Sequence, residues 1–258
     1  MEGRSFVMKQ NEEREVTHEQ FRRLIQSSET QSFTVVADVD GRTLVVDGCP
    51  EPDAEILLRP LFHQRGRITV DRFDGQEPGR LASVWLSRYG LLHALPSPVG
   101  TMILRVAPYE SLYRILIDSA GLQDTPALPE VDPVGVDRNN LETEKWSVEA
   151  TKREACTRIV QRLPDQLGEV AAALRAAQAS LVNVAAVWDS PTGPQRGKMT
   201  WISTPAGLLT HEEQQRGLRI RHELDAEHPG WMWLRLIDRL PRANDLQYWQ
   251  REGETDGA

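Results

Sequence analysis

The sequence contains two series of short strand-like segments, and this repetition limits the folds that the chain can adopt. Each series has four apolar segments bounded by turn residues, and each is followed by an amphipathic helix that begins at a proline, Pro108 or Pro229. Short strands that follow one another through tight turns pair antiparallel, because a parallel pair needs a long crossover connection. The sequence therefore predicts an α+β fold with a pseudo-two-fold repeated antiparallel sheet, arranged as helix, four strands and helix, twice.

The predicted elements form one domain over residues 1–258. The strands are expected at 67–73, 81–87, 89–95 and 101–106 in the first half, and at 181–188, 198–203, 207–210 and 218–224 in the second.

A helical pair at 147–178, interrupted by Pro164, separates the two halves, which span about 50–120 and 147–240. We expect helices to cover one face of the sheet, and further helices near 17–26 and 53–62. The proline-rich linker at 122–140 predicts no regular structure, and the polar tail at 250–258 predicts disorder.

The stretch FTVVADVDGRTLVV at 33–46 supports two readings. Asp38 and Asp40 resemble the paired aspartates of haloacid-dehalogenase-type phosphatases, which lie at the end of a parallel strand beside a magnesium ion. Such an enzyme also needs a second acidic cluster, but the chain has no Gly-Asp or Asp-Asp dipeptide. Asp-Gly between two apolar runs is typical of a β-hairpin, since a type I′ turn needs positive φ at both central residues. The hairpin is the favoured interpretation, and a magnesium-dependent phosphatase is the alternative.

Composition excludes several classes of protein. The formal charge of −8, from 30 basic and 38 acidic side chains, argues against nucleic-acid binding, which needs a concentrated basic face. No window approaches eighteen apolar residues, and the N-terminal stretch lacks the apolar core of a signal peptide. The sequence therefore predicts a cytoplasmic protein that does not insert into membranes.

No motif in the chain predicts catalysis, a metal site or a cofactor. The stretch HEEQQ at 211–215 resembles the zinc signature H-E-x-x-H, but Gln215 occupies the position of the second histidine, and the segment is interpreted as a solvated loop. Nucleophile elbows, phosphate-binding loops and dinucleotide fingerprints are absent from the sequence. We therefore predict a protein that is not an enzyme.

Tryptophan is the one residue type that suggests a binding role. The chain has seven, and four of them lie in or beside predicted strands: Trp85, Trp188, Trp201 and Trp231. Most are expected in the core, but tryptophan is also enriched where one protein contacts another, because a rigid ring buries a large area at small entropic cost.

From about 46 to 240, the sequence resembles the EspG family, the cytosolic chaperones of ESX (type VII) secretion. The resemblance is carried by three segments: DGCPEPDAEILLRPLFHQRGRITVDRF, ASVWLSRYGLLHALPSPVGTMILRVAPYESLYRIL and SLVNVAAVWDSPTGPQRGKMTWISTPAGLL. The helices at 147–178 occupy the place of the family's helical pair.

The resemblance implies a binding protein that holds PE–PPE-like heterodimers, the secretion substrates, and masks the apolar tip of the helical PPE partner before export. Masking an exposed apolar surface keeps such a substrate soluble by mass action. The family's partner-binding loop corresponds to 74–80, so Arg80 becomes a candidate contact. The candidate contacts are Arg80, Trp85, Trp188, Trp201 and Trp231. Trp85, Trp188 and Trp201 lie on predicted strands, from which their side chains could face outward.

Overall fold

The structure is a computed structural model of the chain. It describes residues 33–37, 44–47, 64–76, 78–87, 90–96, 102–122, 125–216, 219–226, 228–242, 245 and 248–249. The helices expected near 17–26 and 53–62 and the tail at 250–258 lie outside the described residues.

The described strands form one large sheet. In chain order they are β1 Phe33–Ala37, β2 Leu44–Asp47, β3 Gln64–Phe73, β4 Gly79–Ser87, β5 Gly90–Pro96, β6 Met102–Ala107, β7 Val134–Val136, β8 Ser180–Ser190, β9 Gly193–Thr204, β10 Gly207–Arg216 and β11 Arg219–Ala226. Their order across the sheet is β2-β1-β6-β5-β4-β3-β8-β9-β10-β11-β7. Every described pairing is antiparallel, which confirms the α+β class and the antiparallel sheet.

Two meanders of four strands meet at the centre of this sheet. The first runs from β3 to β6 and the second from β8 to β11, and β3 pairs with β8 from Gly66↔Trp188 to Phe73↔Leu181. Within the linker that was predicted to lack regular structure, β7 pairs with β11 at the edge of the sheet and a 3-10 helix spans Arg138–Leu141, so that prediction was wrong at 134–136 and 138–140.

Five described helices pack against the sheet. They are α1 Leu112–Ala120, α2 Thr143–Trp146, α3 Glu149–Val160, α4 Gly168–Arg175 and α5 Pro229–Asp238. Gly121 ends α1 in the left-handed conformation at φ 69°, which glycine adopts without steric cost. Pro229 occupies the first turn of α5, and the Nδ1 atom of the preceding His228 accepts a hydrogen bond from the Gly230 amide at 3.1 Å.

Helices cover both faces of the sheet, rather than the single face that we expected. Face A, defined by the buried side chains of Ile68, Val184 and Trp201, packs against α1 and α5. Face B, on the opposite side, buries Leu181 and Ile202 against α2, α3 and α4. Successive strand residues point to opposite faces, and here both sets include apolar side chains, so each face needs its own cover.

Candidate functional site

Face B has two ends of opposite character. The strand register places four side chains in one row across the sheet, the covered row: Phe73, Leu181, Ile202 and Leu209. These side chains are buried beneath α2, α3 and α4. The same register places another four side chains together farther from the helices, the open row: Trp85, Arg67, Val187 and Arg196. Trp85 is half-buried and the other three are exposed.

The open row combines an aromatic ring with cationic side chains. The Arg67 guanidinium carbon lies 5.6 Å from the centre of the Trp85 ring, within the range of a cation–π contact. Burial, followed by the nearby Arg80 charge, lowers the pKa of Arg67, while the Asp71 carboxylate acts in the opposite direction. Tryptophan and arginine are the residues that most often dominate protein interfaces.

Arg80, the candidate from the loop position, belongs to the same surface. Its Nε donates to Asp71 Oδ1, and its Nη1 donates to Ser83 Oγ at 3.1 Å. Because Arg80 is the second residue of β4 and lies opposite Asp71 on β3, strand pairing rather than the loop fixes its position.

Val187 supplies exposed apolar area beside these charges. Its side chain is 52% exposed, on the same face as Arg67 and Arg196. Lys198, one step farther along β9, is exposed on this face as well. The surface therefore alternates apolar and cationic side chains across the strands, in the order Trp85, Arg67, Val187 and Arg196, although the whole chain is acidic.

The loop between β3 and β4 is anchored to the helices that cover the other end of face B. The buried Lys152 on α3 donates from Nζ to the carbonyl oxygens of Asp74 at 2.6 Å and Ala177 at 2.9 Å. The Gly75 amide donates to the Trp146 carbonyl oxygen at 2.7 Å. At Gly75, with φ 96°, a Cβ atom would lie 2.2 Å from Glu149 Oε2. These contacts fix one end of the surface with respect to α2 and α3.

The other candidate tryptophans have different environments. Trp188 and Trp201 are buried on face A among the core side chains, so the expectation that they could face outward is wrong, and their rings serve packing. Trp231 is 64% exposed on α5, and Leu234, one turn later, is also exposed. Alternation alone could not separate these cases, because apolar residues lie on both faces of the strands.

A cluster that the sequence did not predict lies on β10 and β11. The stretch 211–215 is part of strand β10, not the loop that we expected. His211 and Glu213 therefore point to one face, and Glu213 is directly opposite His222 on β11. His211 and Glu213 are two positions apart, the spacing that places two side chains on the same face of a strand. The polar character of the segment favoured a loop instead.

The two imidazole rings of this cluster are in direct contact. His211 Nε2 lies 3.0 Å from His222 Nδ1, and the ring centres are 5.3 Å apart. Burial, followed by the His222 ring, lowers the pKa of His211, while Glu213 and Glu212 raise it and Lys198 lowers it. The neutral form of this ring is thereby favoured.

The hairpin interpretation of 33–46 is confirmed by strand pairing. Strands β1 and β2 pair antiparallel with Ala37 opposite Leu44, and β1 also pairs antiparallel with β6. Asp38 and Asp40 lie outside the described residues. The strand that leads to them has antiparallel neighbours on both sides, unlike the parallel strand that the phosphatase alternative requires.

Comparisons with known proteins give matches among solved structures but none among sequences. No protein-family model matches the chain, and no curated protein matches it. The fold is similar to that of a secretion chaperone. That chaperone is EspG5 of the Mycobacterium tuberculosis type VII secretion system, solved in complex with the PE25–PPE41 dimer, with 12% sequence identity, a TM-score of 0.45, and coverage of 88% of this chain and 90% of that chain. At this identity and TM-score we infer function from the residues of the chain itself. None of the helices in the described part of the chain has the length and the apolar composition of a membrane-spanning segment.

Proposed function

We propose that the protein is a non-catalytic cytosolic chaperone for a type VII secretion substrate. It binds a helical PE–PPE-like heterodimer, keeps it soluble and directs it to the secretion machinery. The proposal is supported by the resemblance of 46–240 to the EspG family, and by a sheet face that remains exposed beside the helices that cover its other end.

The exposed end of face B is the observation that carries the proposal. A protein interface combines apolar area with charged groups that match those of the partner. Trp85 and Val187 provide the apolar area, and Arg67 lies between them because β3 separates β4 from β8. Arg67, Arg80 and Arg196 suit a helical partner that carries carboxylates beside its apolar tip.

Strand order supports an internal repeat in this platform. From the central β3–β8 pair, the sheet continues as β4, β5, β6 on one side and as β9, β10, β11 on the other. We propose that the two meanders are related by a pseudo-two-fold axis through the β3–β8 pair. The platform that holds the partner is then a single continuous surface within one domain.

The proposed contacts are a subset of the tryptophans and arginine singled out in the sequence. Arg80 and Trp85 contact the partner directly, while Trp188 and Trp201 support the sheet from face A. Trp231 belongs to a second surface, on α5, which photo-crosslinking from position 231 tests separately.

Co-purification of the tagged full-length protein with its partner tests the proposal. A PE–PPE-like heterodimer should be recovered in stoichiometric amounts, and co-expression should make that heterodimer soluble. Recovery of no helical secretion substrate, or of a substrate that is equally soluble without this protein, would contradict the chaperone function.

Two matched valine variants test the proposed surface. Val187 and Val148 are 52% and 53% exposed, but Val148 precedes α3, the helix that covers the opposite end of face B. Val187→Arg should weaken binding of the purified heterodimer at least tenfold, which corresponds to about 1.4 kcal/mol, because it replaces exposed apolar area between Arg67 and Arg196 with a further charge. Val148→Arg should leave the affinity unchanged. Equal effects of the two variants would exclude this surface as the docking site.

A further inference from the structure

The β10–β11 hairpin brings two imidazoles and a carboxylate together. One ligand atom from each of His211, Glu213 and His222 can be chosen so that all three lie within 4.8 Å of one another. His211 Nε2 lies 3.0 Å from His222 Nδ1, which in turn lies 3.8 Å from Glu213 Oε1. The proposed chaperone function does not use this cluster.

These separations match the ligands of a small divalent ion. Zinc binds imidazole nitrogen at about 2.0–2.1 Å and carboxylate oxygen at about 2.0–2.2 Å, so tetrahedral ligand atoms are roughly 3.3 Å apart. The distance between the two imidazole nitrogens, 3.0 Å, is slightly below that value, and the distance from His222 Nδ1 to Glu213 Oε1, 3.8 Å, is slightly above it. A small rotation of the exposed Glu213 side chain would bring its oxygen to the same separation.

Strand pairing holds the two histidines in place before any ion binds. Glu213 and His222 are directly opposite each other, and His211 is two residues before Glu213 on the same strand. The side chain of His222 is only 13% exposed, so few orientations are open to it. A site built on paired strands loses little conformational entropy when it binds an ion.

The charges around the cluster also suit a cation. Glu213 adds one negative charge, while Glu212 points to the other face and pairs with Arg235 and Arg239. Lys198 is the cation whose charge also acts on His211.

We propose that His211, Glu213 and His222 form a binding site for a divalent transition-metal ion of the zinc type. Two imidazole nitrogens with one carboxylate select such an ion over magnesium or calcium, which prefer oxygen ligands. The three side chains leave one tetrahedral position for water, and the bound ion joins β10 to β11. On binding, the proton shared between the facing ring nitrogens moves to the far nitrogen of the ring that donates it, so the two imidazoles can both coordinate.

Calorimetric titration of the full-length protein with zinc chloride, after removal of metal with a chelator, tests this site. One ion per chain should bind, and the thermal midpoint of unfolding should rise with zinc. Replacing zinc with cobalt should give the intense visible absorption of tetrahedral Co²⁺. Absence of zinc binding to the native sequence would overturn the proposal.

Variants assign the ligands. His211→Ala and His222→Ala should each weaken zinc binding at least about a hundredfold, and Glu213→Gln at least about tenfold. Glu213 is exposed, so its variant keeps the fold even if a histidine variant does not. His228→Asn is the matched control, since it removes a histidine outside the cluster and retains a side chain that caps α5. Unchanged zinc affinity in Glu213→Gln, or an equal loss in His228→Asn, would show that the ion binds elsewhere.

Discussion

The two ends of face B are built from the same strands, yet one is core and the other is surface. On β8, Leu181 is fully buried beneath the helices, whereas Val187, six residues later on the same face, is half-exposed. On β3, Phe73 and Arg67 show the same contrast. The difference arises from the position of α2, α3 and α4, which cover only one end.

This contrast shows how a sheet can carry a binding surface without a separate domain. The covered end supplies the apolar burial that stabilises the fold, and Lys152 links it to the loop between β3 and β4. The exposed end contributes little burial, so its residues can be chosen for a partner. Substitutions should therefore affect stability at one end and binding at the other.

The largest effect on stability is expected at the covered row. Ile202→Ala should lower the free energy of unfolding by about 2–5 kcal/mol, because it leaves a cavity in a fully buried site. Val187→Ala, on the same face at the exposed end, should lower it by less than about 1 kcal/mol. Urea unfolding of both variants measures this difference, and equal losses would abolish the contrast between the ends.

Loss of the buried lysine should have the next largest effect. Lys152→Met keeps the length of the side chain but leaves the carbonyl oxygens of Asp74 and Ala177 without their donor. Stability should fall by about 2–3 kcal/mol, since each unsatisfied buried acceptor is costly. Arg153→Met is the control, because Arg153 forms an exposed ion pair with Glu149 and its loss should change the stability far less. A loss as small as that of the control would contradict the proposed role of Lys152.

The Cys156 thiol, which is buried on α3, should react slowly in the folded protein, and its ionisation should lower the stability of the fold at alkaline pH. Burial raises the pKa of Cys156 from 9.0 to about 11, with Lys152 lowering it and Glu149 raising it. At moderately alkaline pH the native protein should therefore contain about a hundredfold less thiolate at this position than the unfolded chain. Because the unfolded thiol ionises first, stability from this group is present below pH 9 and is lost as the pH rises from 9 to about 11.

Alkylation by iodoacetamide, followed by mass spectrometry of the peptide that contains Cys156, measures the reactivity. Urea unfolding of Cys156→Ser at several alkaline pH values measures the stability, and this variant should lack that part of the pH dependence. Equal alkylation rates in the folded and unfolded protein would show that the helices do not protect this site.

A small effect on stability is expected from the aromatic ring at the exposed end. Trp85→Ala should lower the free energy of unfolding by about 1 kcal/mol, because the ring is half-buried and loses its contact with Arg67. Its effect on affinity for the heterodimer should be larger than its effect on folding. A loss of stability as large as that of Ile202→Ala would place Trp85 in the core instead.

Much of the strand content could be predicted, because apolar alternation and turn residues mark most strands. The segment at 211–215 could not, since β10 pairs only with β11 beyond His211 and carries polar residues on both sides. The strand at 134–136 is short and follows Pro133, so neither length nor composition indicated it. The burial of each tryptophan depends on which helices cover its face of the sheet. Adjacent strand residues such as Leu181 and Val182 point to opposite faces and are both buried, so the apolar pattern does not show which face is exposed.

Site-specific photo-crosslinking tests the docking surface most directly. A photoreactive phenylalanine replaces Trp85 in one variant, Trp231 in a second and Val148 in a third, and each is mixed with the purified PE–PPE-like heterodimer. We predict a crosslink from position 85 to the helical tip of the substrate, and none from position 148. Crosslinks from position 231 alone, or from no position while the complex forms, would contradict docking on the exposed end of face B.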